Sequence, residues 1–206
     1  MINFKNCFFR NNTLISIKSR RSVRIFLDKP VSARDLETIL NAANQAPSAH
    51  NQQSWRFIVL KDQKKNELTN LISEKAADFT KPSTTLLRLA SRSIASAPMV
   101  VAIVNTGQLI SRGTELFKVD KHTAKDFFRI MEIQSSAAAV QNLLISATSL
   151  GLATVWLGVL ILIKNDILRL LGEPEGEFMA VIPVGYAAKV SQGPKKQPLD
   201  MVVRYL

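Results

Sequence analysis

Four short stretches hold the residue types that could bind and orient an anionic, heteroaromatic ligand. Arg20-Arg21-Ser22-Val23-Arg24, with Lys18 just before it, sets three guanidinium groups and a hydroxyl within five residues. The planar donor fork of arginine matches phosphate oxygens, and a serine hydroxyl can complete the cage. Alone, such a cluster also describes a solvated basic face or a site for a nucleic-acid backbone. Pro47-Ser48-Ala49-His50-Asn51-Gln52-Gln53-Ser54-Trp55 comes next, rich in side-chain amides. Amides offer donors and acceptors together, which suits the mixed edge of a heteroaromatic ring. A polar turn anchored by Trp55 accounts for the stretch as well. His50 has no carboxylate near it in sequence to orient it, so it reads as an exposed loop residue rather than a general base. In the third stretch, Gly151-Leu152-Ala153-Thr154-Val155-Trp156-Leu157-Gly158, the last glycine lets a backbone N–H approach a ligand closely. Ordinary turn chemistry asks for the same glycine. Lys195-Lys196-Gln197-Pro198-Leu199 is a basic pair that completes an anion site or belongs to a solvated tail.

Positioning these stretches falls to alternating helical and strand-like patterns. Ser32-Ala33-Arg34-Asp35 is a capping-box-like start, and Leu36, Ile39, Leu40 and Ala43 then recur at helical spacing until the stop before Pro47. Trp55 to Leu60 predicts a buried strand, Asn66 to Phe79 and Thr84 to Ser96 predict helices, and Met99 to Val104 predicts a β-branched strand. Thr123-Ala124-Lys125-Asp126 predicts the start of a long helix ending near Gly151, with Ala153 to Trp156 as the next strand. A short helix over Asp166 to Leu171, a strand over Phe178 to Tyr186 and a tail from Gln192 to Leu206 follow. Long helices between short buried strands, without a regular βαβ period, predict an α+β layered fold. A chain of this size is expected to form one compact domain.

Composition narrows the classes. The chain has 206 residues, 47% hydrophobic and 21% charged, with 8 glycines and 8 prolines, which excludes disorder and low complexity. Cys7 is the single cysteine and cannot close an internal disulfide; with only His50 and His122 beside it, no zinc set or other metal site is expected. Lys and Arg number 27 against 16 Asp and Glu, and the net +11 favours anionic partners. Lys5, Asn6, Arg10, Asn11 and Asn12 interrupt any secretory signal within Met1 to Ser19, so a cytoplasmic protein is expected. The uncharged run Ile133 to Ile163 exceeds the roughly 20 residues of a spanning helix. Its glutamines, serines and Asn142, with a stop at Gly151, favour a buried helix followed by a buried strand, and no membrane partner.

In this order, the four stretches resemble the nitroreductase family of flavin enzymes, from about Ser19 to the C-terminus. In that family an RRSxR-like segment opens the domain and a PSxxNxQxW-like loop follows the first long helix. A GLxTxWxG-like turn follows the central helix, and a basic residue two before a Pro-Leu pair closes the domain. The resemblance implies residues 1–18 as an N-terminal extension and 19–206 as a single domain, with an α+β layered fold whose central mixed or antiparallel sheet is flanked by helices. It also implies an intertwined homodimer with FMN at two interfacial sites. Arg20, Ser22 and Lys196 are implied to hold the phosphate, with Arg21 and Lys195 beside them, and Arg24 to lie by the pyrimidine side of the ring. Ser48 and Asn51, with Pro47, Ala49 and Gln53 around them, are implied to reach the flavin from the partner subunit. Trp156, Leu157 and Gly158 are implied to face the ring, the last two near N5. Ala49, Ser54, Val159 and Lys196 stand where a second serine, a proline, a second glycine and an arginine are more usual; Lys196 keeps the charge but loses the bidentate fork.

The implied chemistry takes hydride from NADH or NADPH through flavin N5 to an electron-poor acceptor, a nitroaromatic or quinone. A cation near N1 and O2, here Arg24, favours the reduced ring, and no side-chain nucleophile is needed. Reductive dehalogenation and flavin breakdown are other chemistries of the same fold. No residue among Arg88, Arg92 and Ser93 is singled out as a further contact, and Thr106 to Lys125 carries no substrate signature. A basic nucleic-acid-binding module is the rival of a different class. Phe8, Phe9 and Phe26 are too few for its stacking ladder, so no nucleic-acid partner is expected.

Overall fold

Met99–Asn105, an apolar run closed by one asparagine, forms a strand buried at every position. Alternation along it builds two cores: Val100, Ala102 and Val104 point to one face of the sheet, Met99, Val101 and Ile103 to the other. A strand covered on both faces has no use for polar alternation, which is why the segment reads as unbroken apolar sequence. The computed structural model describes residues 11–116, 120–189 and 192–206. Cys7, Phe8 and Phe9 lie outside the described residues, as does most of the segment expected to be an N-terminal extension.

The elements in chain order are α1 (Asn12–Ser19), α2 (Ala33–Asn44), β1 (Trp55–Leu60), α3 (Asp62–Lys75), α4 (Ser83–Ser96), β2 (Met99–Asn105), α5 (Gln108–Leu116), α6 (Lys121–Ser149), β3 (Ala153–Thr154), α7 (Lys164–Leu170) and β4 (Glu177–Gly185). The sheet order is β1-β2-β4-β3, with every neighbouring pair antiparallel. Against one face pack Leu68 and Ile72 of α3, Leu87 and Ile94 of α4, and Ile167 of α7. Against the other pack Ile39 and Ala43 of α2 and Val140, Leu143 and Ala147 of α6. The result is a three-layer α+β arrangement, as expected. Each of these leucine, isoleucine and valine side chains contributes about 1.5–3 kcal/mol by burial. Leu143→Ala, which leaves a cavity between α6 and the sheet, costs about 2–5 kcal/mol.

Several boundaries differ from the sequence expectation. The third helix begins at Asp62 rather than Asn66 and ends at Lys75, with a 3₁₀ turn over Ala76–Asp78. Its stripe of Leu68, Leu71 and Ile72 marks only the part that packs, so a polar first turn gives no apolar signal. The long helix starts not at Thr123 but after Asp120, whose carboxylate accepts the His122 and Thr123 N–H groups at 3.1 and 2.9 Å. Hydrogen bonds from Thr123 hold that carboxyl below its usual range. α6 ends before Gly151, at φ +74°, the left-handed stop its glycine permits. β3 spans only Ala153–Thr154, because Val155 leaves the sheet for the turn described below. α1 and α5, both absent from the sequence expectation, pack on α6. Among the described residues no helix is long and apolar enough to cross a membrane.

Candidate functional site

Main-chain pairing brings the basic segment to the strand after α6. Val23 N–H donates to the Thr154 carbonyl at 3.0 Å, Leu27 N–H to Tyr186 at 2.8 Å, and Ala188 N–H to Ile25 at 3.1 Å. Ser22 and Thr154 form a parallel bridge, which gives the otherwise antiparallel sheet a mixed edge, and Phe26 bridges Ala187 antiparallel. Val23 and Phe26 are buried and anchor the segment, while Ser22 and Arg24 stay exposed. Beyond β3 the chain turns outward. Leu157 N–H donates to Val181 O at 3.1 Å, and Gly158 opens a 3₁₀ turn running to Ile163.

Between Arg24, this turn and α4 lies a cleft of about 190 Å³, lined by Leu86, Leu89, Ala90, Ser93, Val155, Trp156, Leu157, Gly158 and Val159 as well as Arg24. Among the described residues, no acidic side chain lines it. Among the described residues, no ion pair engages Arg20, Arg24, Lys195 or Lys196. A Cβ built on Gly158 would meet nothing within 4 Å, so the glycine presents bare backbone to open space. As the first residue of its turn, Gly158 has an N–H without an intrahelical partner. Leu157 N–H, by contrast, is already committed to Val181. Of Arg88, Arg92 and Ser93, Ser93 is the one that lines the cleft, and its hydroxyl donates to Leu89 O at 2.9 Å.

Other members of the basic set have different surroundings. Arg21 Nη1 donates to the Lys18 and Arg20 carbonyls at 2.7 and 2.8 Å. A Cβ on Gly193 would come within 3.1 Å of Arg21, so the C-terminal tail passes against that side chain. Lys195 and Lys196 are exposed on this tail. Arg20 N–H closes α1 on Ser16 O at 3.0 Å.

The amide-rich loop stands apart from this cleft: none of Pro47 to Trp55 lines it. Ser48 Oγ accepts the Gln53 N–H at 3.1 Å, Asn51 Oδ1 accepts from Gln53 Nε2 at 3.0 Å, and Trp55 Nε1 donates to Asn44 Oδ1 at 2.9 Å. His50, Asn51 and Gln53 have φ of 52°, 51° and 52°. Three non-glycine residues in the left-handed region within four positions make a strained loop, held from outside. Ala49 N–H donates to Ser135 Oγ at 3.1 Å, and Arg112 Nη1 donates to Gln52 Oε1 at 2.9 Å.

Sequence reading passed over Ser135, Arg112 and the buried Glu132, which all bear on this loop. Glu132 had one signal: it shares a helical face with Phe128 and Ala139, both buried. Sequence reading also passed over Leu86 and Leu89, the α4 wall of the cleft.

The chain is similar to known proteins in sequence and in fold. A protein of Archaeoglobus fulgidus named "Putative NADH dehydrogenase/NAD(P)H nitroreductase" is 32% identical over 175 residues, 82% of this chain and 82% of that one. Iodotyrosine deiodinase of Hydra vulgaris is 25% identical over 210 residues, 94% of this chain and 72% of its own. The crystal structure of a Desulfovibrio desulfuricans protein in complex with FMN superposes with a TM-score of 0.68 at 26% identity, covering 95% of this chain and 97% of that one. The model of the nitroreductase family matches residues 17–186, from the end of α1 to just past β4, and the chain belongs to that family.

Proposed function

We propose that the protein is an FMN-dependent oxidoreductase that takes hydride from NADH or NADPH and passes it to an electron-poor acceptor such as a nitroaromatic or a quinone. The observation that carries this reading is the cleft itself, where an Arg24 guanidinium with no ion-pair partner among the described residues and the bare backbone of Gly158 meet apolar walls. These groups fit a flat heteroaromatic ring that gains negative charge on reduction. When bound, FMN supplies the hydride chemistry through its ring nitrogen N5.

The chain's own residues bind, orient and exclude water. Arg20, Ser22 and Lys196 hold the phosphate, with Lys195 adding positive potential. Arg21, tied to two carbonyls, keeps the basic segment in shape. Arg24 stabilises negative charge on the pyrimidine side of the ring, and Leu86, Leu89 and Trp156 keep that contact at low dielectric. Gly158 N–H is the donor left for the ring, since Leu157 N–H is bonded to Val181.

The working unit of this reading is a homodimer. Ser48 and Asn51, with Pro47, Ala49 and Gln53 shaping their loop, serve the cleft of the second copy. The separation of that loop from its own chain's cleft supports the arrangement. Residues 19–206 act as one domain.

Purification tests the reading directly. A yellow protein absorbing between roughly 350 and 500 nm, releasing FMN and turning over NADH or NADPH beyond one equivalent per flavin when a nitroaromatic or quinone is present, is the expected result. A colourless protein that also refuses added FMN defeats it. Reductive dehalogenation in the same site is the second reading, favoured by the likeness to the Hydra vulgaris deiodinase. Release of iodide from iodotyrosine under reducing conditions separates the two.

A further inference from the structure

We propose that Glu132 is a positioning residue of the site: its buried carboxylate locks the start of α5 against the Ser48–Gln53 loop and so sets how tightly an acceptor is held. The proposal rests on the oxidoreductase reading above. Glu132 is 1% exposed on the inner face of α6. Its Oε1 accepts the Leu109 N–H at 2.7 Å, and the backbone N–H groups of Ile110 and Gly107 also favour its charge. A side chain from a neighbouring helix thus does for α5 what an N-cap residue does from within, satisfying N–H groups that a first turn leaves without partners. Gly113 completes the fit, because a Cβ there would come within 2.3 Å of the Phe128 ring, one turn before Glu132 on α6.

From α5 the link to the loop is short. Arg112, one turn beyond Leu109, bonds Gln52, and the Thr106 N–H just before the helix donates to Ser54 O at 3.1 Å. Ser135, on the next turn of α6, holds the other end of the loop through Ala49. The left-handed residues His50, Asn51 and Gln53 therefore sit between three ties, two running through α5 and its lead-in and one directly to α6. None of the residues lining the cleft of the same chain joins this network, so its loosening should reach a site only through the Ser48–Gln53 loop, at the cleft of the second copy.

Stability alone accounts poorly for a carboxylate in this place. Asn105 Nδ2 and Thr106 Oγ1 are buried without a hydrogen-bond partner among the described residues, and Ser54 lies close to the Glu132 carboxylate, whose burial raises its pKa. Such a cluster destabilises the fold relative to apolar side chains of the same volume. Local rules broken without a gain in stability are expected where a site must be shaped.

The test compares holoenzyme of wild type, Glu132→Ala, Glu132→Gln and Arg112→Met, by amide exchange over residues 107–112 and by steady-state kinetics with a nitroaromatic. In Glu132→Ala, exchange at Leu109 and Ile110 should quicken roughly 5- to 30-fold, the size of a lost cap. The acceptor KM should rise several-fold, while kcat changes less than about twofold and flavin affinity, still carried by Arg20, Ser22, Arg24 and Lys196, falls by less than KM rises. Glu132→Gln keeps an oxygen for the Leu109 N–H and should restore most of both. Arg112→Met should raise KM without altering exchange at Leu109. Unchanged exchange in Glu132→Ala, an unchanged KM in Arg112→Met, or joint loss of kcat, KM and flavin in Glu132→Ala overturns the proposal. If Glu132→Ala does not fold, Arg112→Met decides it on KM. Exchange needs no flavin, so a protein without FMN defeats the oxidoreductase reading while exchange still decides the α5 clamp.

Discussion

Val23 donates its N–H to the carbonyl of Thr154 at 3.0 Å, across more than half the length of the chain. That one bond, beside the Ser22–Thr154 bridge, sets the basic segment next to the turn that ends in Gly158. The cleft is the consequence. Its cation comes from the first segment, its bare backbone from the second, and its apolar wall from α4.

Arg20 and Arg24 should fail in different ways. Arg20 is proposed to meet a phosphate, and a charge-assisted hydrogen bond contributes about 1.5–3 kcal/mol, so Arg20→Ala should weaken FMN roughly 10- to 150-fold. Riboflavin, which has no phosphate, should bind almost as before. Arg24→Ala should weaken both ligands and slow flavin reduction by NADH or NADPH, because its partner is the ring that gains charge. Titrating both flavins against both variants checks the assignment; an Arg20→Ala that affects the two equally refutes a phosphate site.

Gly158→Ala separates folding from binding. A Cβ there meets nothing within 4 Å in the free chain, so stability should change by less than about 1 kcal/mol. The same methyl group would stand between backbone and ring in the complex. Overpacking of that kind costs about 1–3 kcal/mol, or roughly 5- to 150-fold in flavin affinity. Thermal unfolding of the apoprotein and a flavin titration read the two effects; unchanged affinity would remove Gly158 from the site.

How much of this was legible in the sequence depended on what each residue had to signal. β2 was, because burial on both faces leaves an unbroken apolar run. So was the end of α6, where Gly151 takes a conformation other residues resist. Its start was not, since the capping Asp120 lies three residues ahead of the Thr123 motif that looked like a cap. The polar first turn of α3 gave no periodic signal, and β3 ends early because Leu157 reaches Val181 from outside the strand. Residue types in the cleft were legible as cations and a glycine. The Leu86–Leu89 wall was not, because an apolar helix face looks the same whether it meets a core or a ligand. The loop at Ser48–Gln53 hid its strain for a related reason: none of its left-handed residues is a glycine.

A homodimer should appear in light scattering as about twice the monomer mass, without detergent. Phe127 and Ile130 of α6 are 50% and 52% exposed, and Ile161 and Leu162 beside the cleft 56% and 44%. Apolar side chains on that scale favour a second copy over water. A charge at the α6 position, Ile130→Asp, should shift the protein toward monomer and lower flavin occupancy with it. A stable monomer that keeps full FMN would contradict a site shared between subunits.

The pH dependence of stability should carry the mark of Glu132. Burial pushes its carboxyl above the ordinary value of 4.5, against the opposing pull of the Leu109 and Ile110 N–H groups. With the folded pKa above the unfolded one, the native state holds more protons between the two values, so stability falls as pH rises through that window. The stabilising contribution is full below the unfolded pKa and is lost once pH passes the raised folded one. Glu132→Gln carries no proton equilibrium and should lack the fall. Other carboxylates titrate nearby, so the informative curve is the difference between wild type and Glu132→Gln from chemical denaturation at closely spaced pH. A negative slope beginning near pH 4.5 and levelling higher up fits a carboxyl buried in the α5 anchor. A flat difference curve would mean that the group is solvated and that α5 is held by something else.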